Sequence, residues 1–248
     1  MKRLDLYLCE NGYAHSRTEA KLFVEGGAVI FDGKTVTKPS FSVDESVFHT
    51  VTVDKSQKKY VSRGGFKLEG ALREFGISSS DRVCLDVGAS SGGFTDCLLQ
   101  NGARLVYAVD SGSGQLADSI RQDSRVLVFE GYNARYMTRS DFEIVPTLAV
   151  MDVSFISATY IIPAIFEVLS SDSDFVCLIK PQFEVGRANI GKGGIVKDDK
   201  ARRAAVEKVV SFAVEIGFEH IKTVTSSIRG GDGNIEFLAH FKKLTGRT

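Results

Sequence analysis

A glycine-rich stretch, LDVGASSGGFT at residues 85–95, constrains the fold of this chain more than any other part of the sequence. The apolar run at residues 83–87 predicts a buried parallel strand, and a helix is predicted directly after the glycines. Those glycines are Gly88, Gly92 and Gly93. Strand, glycine turn and helix in this order open the nucleotide-binding unit of doubly wound α/β folds. Glycines let a ligand approach the backbone closely, and the helix N-terminus adds N–H donors.

The spacing of these glycines narrows the choice of ligand. It matches neither the G-x-G-x-x-G fingerprint of dinucleotide sites nor a Walker motif ending in G-K-[ST]. Asp86 lies near the end of the first strand, and Asp110 ends the next apolar run, where a carboxylate suits a ribose diol. The combination resembles the cofactor site of S-adenosylmethionine-dependent methyltransferases; a glycine-rich turn without a ligand is the alternative. The resemblance predicts cofactor contacts at Asp86, Gly88, Ala89, Ser90, Gly92, Gly93, Phe94, Asp110, Asn133 and Asp152.

Apolar runs alternate with helical patterns through the rest of this region, which predicts an α/β fold. Strands are predicted at residues 83–87, 105–109, 126–129, 148–152, 175–180, 221–226 and 235–242. Helices are predicted near residues 94–100, 114–121, 157–169 and 199–216. We therefore expect a Rossmann-like, mostly parallel seven-stranded sheet whose last strand is antiparallel, as in methyltransferases of this type.

Composition sets further limits. The net charge is zero, so bulk charge favours no particular partner. The four cysteines are scattered without a C-x-x-C pair and indicate reduced thiols in the cytoplasm, and the four histidines show no metal-ligand spacing. The N-terminus lacks the apolar core of a signal peptide. Residues 147–169 are apolar but interrupted by Asp152, Pro163 and Glu167, so we expect no membrane span and no metal site.

The first 60 residues predict a small α+β module. Ser16 is a natural helix cap with Glu19 three residues later, and two glycines at residues 26–27 end that helix. A hairpin is predicted around the turn at residues 32–33, and a further short strand at residues 51–53.

This module resembles the S4 RNA-binding domain. The resemblance depends on RLDLYL at residues 3–8, Gly12, SRTEA at residues 16–20, residues 27–29 and Gly33. It implies that Arg3, Arg17 and Lys21 contact RNA phosphates. Residues 1–60 hold nine cations against eight carboxylates, so any RNA affinity must come from clustering of charge. The alternative is a module with solvated surface charges that contacts protein.

A basic run, KSQKKYVSRGGFK at residues 55–67, contains five cations, one tyrosine and no carboxylate. It predicts a basic interdomain linker at residues 59–64, between an S4-like domain at residues 1–58 and a methyltransferase domain at residues 65–248. A basic linker with an aromatic residue suits a nucleic-acid backbone, although an ordinary solvated linker would look the same. The further predicted RNA contacts are Lys58, Lys59, Arg63 and, in the loop after the fifth strand, Arg187.

Four ionisable residues lie before the first strand or at predicted strand ends, in the order Lys67, Asp152, Lys180 and Glu236. They resemble the K-D-K-E tetrad of ribose 2′-O-methyltransferases of the FtsJ/RrmJ type, and a structural ion-pair network is the alternative. A lysine ammonium near a ribose hydroxyl favours its ionised form, a role that we assign to Lys180. Asp152 and Glu236 would hold the two lysines, and Lys67 would orient the substrate.

Over almost its full length the chain resembles the TlyA/hemolysin A family, an S4 domain fused to an FtsJ-like methyltransferase. The matching strings are YVSRGGFKLEGAL at 60–72, LDVGASSGGFTDCLLQNGA at 85–103, DVSFIS at 152–157, LIKPQFEVGR at 178–187, KGGIVKDD at 192–199 and GNIEFLAHF at 233–241. The resemblance implies 2′-O-methylation of cytidines of ribosomal RNA, within ribosomal subunits or ribosomes, with S-adenosylmethionine as the donor. The linker departs from the family pattern R-x-W-V, because residues 58–61 read KKYV and the chain has no tryptophan.

Two other functions are weighed against this reading. The family name records haemolysis, which implies a membrane-damaging protein, but the sequence shows no lipid motif and we expect no stable membrane association. A non-catalytic RNA-binding protein is the second alternative, and the intact glycine turn and tetrad argue against it.

Overall fold

The computed structural model describes residues 1–54, 59–230 and 232–244. The chain divides into two compact units, Met1–Arg63 and Gly64–Thr248. The division falls inside the predicted linker, and the predicted domain boundaries remain a proposal. Lys55 and Lys58 of the basic run lie outside the described residues.

The first unit is a small α+β domain. Its elements are β1 (Lys2–Arg3), α1 (Leu4–Glu10), α2 (Arg17–Glu25), β2 (Val29–Phe31), β3 (Lys34–Thr35), β4 (Ser42–Val43) and β5 (Val51–Val53). Strand β2 pairs antiparallel with β3 and β5, and β1 pairs antiparallel with β4. The core is formed by apolar residues of both helices and of the strands, among them Leu4, Leu8, Phe23, Val29, Phe31 and Val43.

The helix cap and the hairpin turn of this unit have the conformations that their residue types favour. The Ser16 hydroxyl accepts a hydrogen bond from the Glu19 N–H at 3.1 Å and so caps α2. Asp32 and Gly33 both have positive φ, 48° and 75°, as a two-residue type I′ hairpin turn demands. Helix α1 was not predicted, although Leu4 and Leu8 lie four residues apart and are both buried.

The second unit is built on one seven-stranded sheet. After α3 (Gly64–Phe75) the elements are β6 (Val83–Val87), α4 (Gly93–Gln100), β7 (Leu105–Val109), α5 (Asp118–Arg121), β8 (Val126–Phe129), β9 (Leu148–Met151), α6 (Ile162–Val168), β10 (Ser173–Ile179), α7 (Pro181–Glu184), α8 (Asp199–Ile216), β11 (Glu219–Thr225) and β12 (Phe237–Lys243). The strand order is β11-β12-β10-β9-β6-β7-β8, and β12 alone among these strands runs antiparallel to its neighbours. The predicted fold class is confirmed.

Helix lengths depart from the prediction in two places. The predicted helix at 114–121 is only the single turn Asp118–Arg121, and the one at 157–169 is a 3-10 turn, Ala158–Tyr160, followed by α6. Pro163 explains the late start of α6, because proline lacks an N–H and is tolerated only in the first helical turn. Among the described residues, no helix combines the length and apolarity that crossing a bilayer requires.

The topology gathers the predicted site at one edge of this sheet. Parallel strands β6, β7, β9 and β10 all end at this edge, and the antiparallel β12 begins there. Residues that follow the ends of the parallel strands therefore meet residues that precede β12. The carboxyl edge of such a sheet is where α/β proteins bind ligands.

Candidate active site

A cavity of about 460 Å³ opens at the carboxyl edge of β6, β7 and β9. This volume lies in the range of roughly 300–1,000 Å³ that is usual for small-molecule sites. Its walls combine polar and apolar groups from the strand ends and the following loops. They include Gly88, Ser90, Asp110, Gly112, Gln115, Asn133, Asp152, Ser154, Phe155 and Ile161.

Gly88 allows the ends of β6 and β9 to come together. It has a φ of 84°, and a Cβ at this position would lie 2.3 Å from the carbonyl oxygen of Asp152. No side chain fits in that gap, so glycine is required by space as well as by backbone conformation. Gly92 has a different role, because a Cβ there would lie 2.9 Å from the Leu116 side chain, which packs beneath the turn.

Asp110 lies in the cavity wall with both carboxylate oxygens oriented by backbone donors. The N–H of Ser90 donates to Oδ2 and the N–H of Gly112 donates to Oδ1, each at 2.7 Å. A carboxylate oxygen can accept more than one hydrogen bond, so Asp110 can still receive the hydroxyls of a diol. The cavity, its glycine floor and this fixed carboxylate fit a nucleoside-containing cofactor.

Asp86, a predicted cofactor contact, lies outside the described lining of the cavity. It is fully buried within β6, and the Thr95 hydroxyl donates to its Oδ2 at 2.6 Å. Burial raises the pKa of Asp86 to about 7, and the Thr95 bond opposes that shift only in part. Its Oδ1 has no hydrogen-bond partner among the described residues. The side chain therefore links β6 to α4 from behind the glycine turn.

The predicted cofactor residues thus divide into two groups. Those that line the cavity are Gly88, Ser90, Asp110, Asn133 and Asp152. Those outside its described lining are Asp86, Ala89, Gly92, Gly93 and Phe94, all of them buried. The second group lies at the end of β6, in the glycine turn and at the start of α4.

The four residues of the predicted tetrad form two ion pairs. The Lys180 ammonium lies 2.5 Å from Asp152 Oδ1 and donates to Ser154 Oγ at 2.7 Å. The Lys67 ammonium donates to Glu236 Oε2 at 2.6 Å. Ile179 pairs with Phe237 across β10 and β12, so Lys180 and Glu236 continue that register at the edge of the sheet.

Burial differs between the two pairs. The Lys67 and Glu236 side chains are 10% and 2% exposed, whereas Asp152 is 20% exposed beside the cavity. A Cβ at Gly230 would lie 2.5 Å from Glu236 Oε1, so the glycine loop before β12 packs directly over this carboxylate. The Lys67–Glu236 pair is therefore the more enclosed one.

An aromatic pair with one exposed ring, which sequence reasoning missed, adjoins the Lys180–Asp152 pair. Phe155 is 92% exposed and has a φ of 65°, a strained value for a residue with a side chain. Its ring centroid lies 5.2 Å from that of Phe183 in α7. The available signal was the string DVSFIS itself, in which a phenylalanine stands three residues after the predicted catalytic aspartate.

Asn234 is a second residue that the sequence did not single out. It is 1% exposed, its Oδ1 accepts from the Val196 N–H at 3.0 Å, and its Nδ2 donates to the Gly194 carbonyl at 2.9 Å. It therefore fixes the glycine-rich loop before α8 against the turn that precedes Glu236.

The predicted RNA contacts of the first unit are organised by one buried carboxylate. Asp5 is fully buried and accepts two bonds from Arg3 and one from Arg17, while these arginines are 46% and 50% exposed. Burial would raise the pKa of Asp5, but the bonds from the two guanidiniums outweigh it and hold that pKa below its usual range.

The other predicted RNA contacts have varied surroundings. Lys21 is partly exposed, and Lys59 is exposed with its ammonium 5.3 Å from the centre of the Tyr60 ring. Arg63 forms an ion pair with Glu25 at 2.6 Å, and Arg187 is exposed after α7. Lys58 lies outside the described residues.

Comparison with known proteins is consistent over the whole chain. The FtsJ-like methyltransferase family matches residues 60–243, and the S4 domain matches residues 2–48. The 16S/23S rRNA (cytidine-2′-O)-methyltransferase TlyA of Mycobacterium tuberculosis is 42% identical over 245 residues, which cover 99% of this chain and 91% of the relative. Hemolysin A of Brachyspira hyodysenteriae is 44% identical over 241 residues, covering 96% and 99% respectively. The solved structure of a candidate hemolysin from Streptococcus thermophilus has 44% identity and a TM-score of 0.76, and covers 98% of this chain and 89% of that one.

Proposed function

We propose that this chain, which belongs to the FtsJ-like methyltransferase family and carries an S4 domain at its N-terminus, methylates a ribose 2′-hydroxyl of ribosomal RNA. Its membership confirms the family predicted from the sequence, including the kinship with the proteins named TlyA and hemolysin A. The observation that carries the proposal is the Lys180 ammonium, paired with Asp152 at the mouth of a cavity that fits a nucleoside. We take the acceptor to be a cytidine and the site of action to be the cytoplasm.

The cofactor of this proposal is S-adenosylmethionine, which supplies a methyl group already activated by a sulfonium when it is bound. Asp110 would accept hydroxyl groups of its ribose, since both carboxylate oxygens are held in place by backbone N–H groups. Gly88 and Ser90 would let it approach the backbone, and Asn133 would line the opposite wall.

Lys180 favours ionisation of the acceptor hydroxyl. A lysine ammonium has three N–H donors; Ser154 accepts from one of them and Asp152 forms an ion pair with the ammonium, which leaves a donor for a substrate oxygen. At about 4 Å and an effective dielectric constant near 20, an ammonium stabilises an alkoxide by about 4 kcal/mol, or about three pKa units. Asp152 keeps this ammonium in place without reaching the substrate hydroxyl itself.

The remaining groups position the RNA. The Lys67 ammonium, held by Glu236, is suited to orient the acceptor ribose or an adjacent phosphate. Phe155, which packs on Phe183, offers exposed ring surface beside the cavity, and stacking of a base on an aromatic ring contributes roughly 1–3 kcal/mol. Arg3 and Arg17 of the S4 domain would contact RNA phosphates.

The first experiment measures methyl transfer from labelled S-adenosylmethionine to ribosomes, separated subunits and naked ribosomal RNA. Lys180→Ala is compared with the wild type and with Lys200→Ala, which changes an exposed lysine of α8. We expect label on the ribose that disappears with Lys180→Ala and persists with Lys200→Ala. Label on a base, or full transfer by Lys180→Ala, would contradict the proposal.

A binding measurement separates the cofactor from the chemistry. Calorimetry with S-adenosylhomocysteine should show binding that Asp110→Ala weakens about tenfold, because a charged hydrogen-bond acceptor is lost, and that Lys180→Ala leaves nearly unchanged. Absence of binding by the wild type would refute the enzymatic reading and leave an RNA-binding protein.

A further inference from the structure

A buried carboxylate outside the tetrad, that of Glu184, joins three segments of the second unit. Its side chain is 2% exposed. Its Oε1 accepts from the Ala158 N–H at 2.7 Å, and its Oε2 accepts from the Ser157 hydroxyl at 2.5 Å and from the Lys208 ammonium at 3.0 Å. Buried polar groups that satisfy one another in this way fix their segments firmly, since separation would leave each of them unsatisfied.

These segments are the ones that present the catalytic groups. The first segment begins at Asp152 and ends at Ser157. The second is α7, which follows Lys180 directly and ends at Glu184. The two segments are therefore cross-linked twice, by the Lys180–Asp152 ion pair at one end and by Glu184 at the other. The rings of Phe155 and Phe183 meet between the two cross-links.

The segment between Asp152 and Ser157 needs such support. It forms no helix or strand, and Phe155 within it has a φ of 65° and almost full exposure. A strained residue keeps its conformation only where the surrounding structure holds it. Ser154, which accepts from Lys180, precedes the strained position, and Ser157, which donates to Glu184, follows it.

We propose that Glu184 is a positioning residue for methyl transfer. By clamping residues 157–158 to the end of α7, it holds Ser154 and Asp152 around the Lys180 ammonium and keeps Phe155 beside Phe183. Glu184 lies outside the described lining of the cavity, so it acts through these groups and touches neither cofactor nor substrate. This role rests on the proposed ribose methylation.

The test compares Glu184→Gln and Glu184→Ala with the wild type at saturating RNA and cofactor. Glutamine can still accept from the Ala158 N–H but not from both Ser157 and Lys208, whereas alanine removes every bond. We expect kcat to fall about tenfold with Gln and about 100-fold with Ala, the loss that a displacement of about 1 Å causes. Affinity for S-adenosylhomocysteine should change less than about threefold. An equal loss of cofactor affinity would overturn the proposal.

Asp174→Asn is the matched control. Asp174 is a partly buried carboxylate at the start of β10, the strand that leads into Lys180 and α7, and it lies at the opposite edge of the sheet between Arg82 and His240. It should lower the melting temperature about as much as Glu184→Ala and leave kcat within about twofold. If Asp174→Asn lowers kcat as much as Glu184→Ala, the effect of Glu184 is general stability and the positioning role is wrong.

Two further readouts separate this proposal from the proposed function. In Ser154→Ala combined with Glu184→Gln, the losses in kcat should be less than multiplicative, because both act through Lys180. Hydrogen exchange should speed up at least tenfold at residues 153–158 in Glu184→Ala and stay unchanged at residues 83–87. If the wild type methylates no ribosomal RNA, the proposed function fails. Unchanged hydrogen exchange at residues 153–158 in Glu184→Ala would independently overturn the positioning role of Glu184.

Discussion

At each end of strand β10 a partly buried aspartate is paired with cationic side chains, and the pair at the carboxyl end adjoins the cavity described above. At the start of the strand, Asp174 accepts from Arg82 at 2.7 Å and from His240 at 2.9 Å, and His240 stacks on Phe75. Other N–H groups of Arg82 donate to the hydroxyl and the carbonyl oxygen of Thr147. At the end of the strand, the Lys180 ammonium keeps a donor for a further partner.

The difference shows that an ion pair at a strand end is not in itself a functional signal. Both clusters pair an aspartate with a cationic side chain, and the exposed fractions of these side chains are similar. What distinguishes the carboxyl edge is spare hydrogen-bonding capacity that faces a cavity, together with a strained and exposed phenylalanine next to it. Substitutions at the two ends should therefore affect different properties of the protein.

The largest expected effect is on the rate at the carboxyl edge. Asp152→Ala removes the anion that holds Lys180, and we expect kcat to fall about 1,000-fold, within the range for loss of a positioned acid–base group. Unfolding free energy should change by only about 1 kcal/mol, because Asp152 is partly exposed. Single-turnover methylation and urea unfolding of the same samples measure both quantities, and a large loss of stability with an intact rate would reverse the comparison.

Asp86 sharpens the contrast, because it is a buried carboxylate that forms no ion pair with the residues that the structure describes. Its pKa is raised to about 7 by burial, so the folded protein binds its proton more tightly than the unfolded chain does. This group therefore contributes stability below about pH 4, and the contribution is lost as the pH rises to about 7, by about 4 kcal/mol in all.

Asp86→Asn should remove that dependence. Urea unfolding at pH 5, 6, 7 and 8 should show that the wild type loses more stability than the variant between pH 5 and 7, by up to about 1.4 kcal/mol per pH unit. Thr95→Val deletes the hydroxyl bond to Asp86, which favours the ionised form, and should move the loss to higher pH. Parallel profiles for wild type and Asp86→Asn would show that the carboxyl group is ionised in the folded state throughout.

A somewhat smaller effect, on stability alone, is expected at the start of β10. Arg82→Met leaves Asp174 with His240 only and should lower the unfolding free energy by about 3 kcal/mol, as for other broken buried pairs. The rate of methyl transfer measured well below the new melting temperature should stay within about twofold. A selective loss of rate would mean that the two ends of the strand are coupled, and the distinction between them would not hold.

Much of the fold follows from local sequence patterns. The strands of the sheet and α8 match their predicted positions within a few residues, since buried parallel strands are short apolar runs and α8 has a clear apolar periodicity. The tetrad could also be located, because the carboxyl ends of parallel strands meet at one edge. The face of the sheet on which the Asp86 side chain lies could not be predicted from the sequence, because all five residues of β6 are buried and show no alternation.

Glu184 and Asn234, which hold loops beside the site, could not be predicted from the sequence for a different reason. Glu184 looks like an ordinary helix-terminal glutamate, and its partners Ser157 and Lys208 lie 27 and 24 residues away along the chain. Asn234 bonds to Val196 at a separation of 38 residues. Such contacts depend on the packed loops and leave no periodic pattern in a single sequence.

The smallest expected effect tests a third arrangement of a buried carboxylate, in the S4 domain. Asp5 is more deeply buried than Asp174, with 0% against 13% of its side chain exposed, yet its two arginines are half-exposed and use only some of their five N–H donors on it. Asp5 is thus an enclosed carboxylate like Asp174, whereas its arginines, like Lys180, keep N–H donors for a further partner. Arg3→Gln and Arg17→Gln should each weaken binding to ribosomal RNA and reduce the magnitude of its salt dependence by roughly 0.7–0.9 in log–log slope.

The expected signature is that kcat at saturating RNA stays within about twofold, because these phosphate contacts lie in a separate domain from the reacting groups. Lys34→Gln, which changes an exposed lysine of β3, is the matched control and should leave the slope unchanged. If the arginine variants bind RNA with an unaltered slope, the open donors on Asp5 do not contact phosphate. Spare hydrogen-bonding capacity would then mark function only at the cavity, and the rule drawn from the two ends of β10 would not extend to the S4 domain.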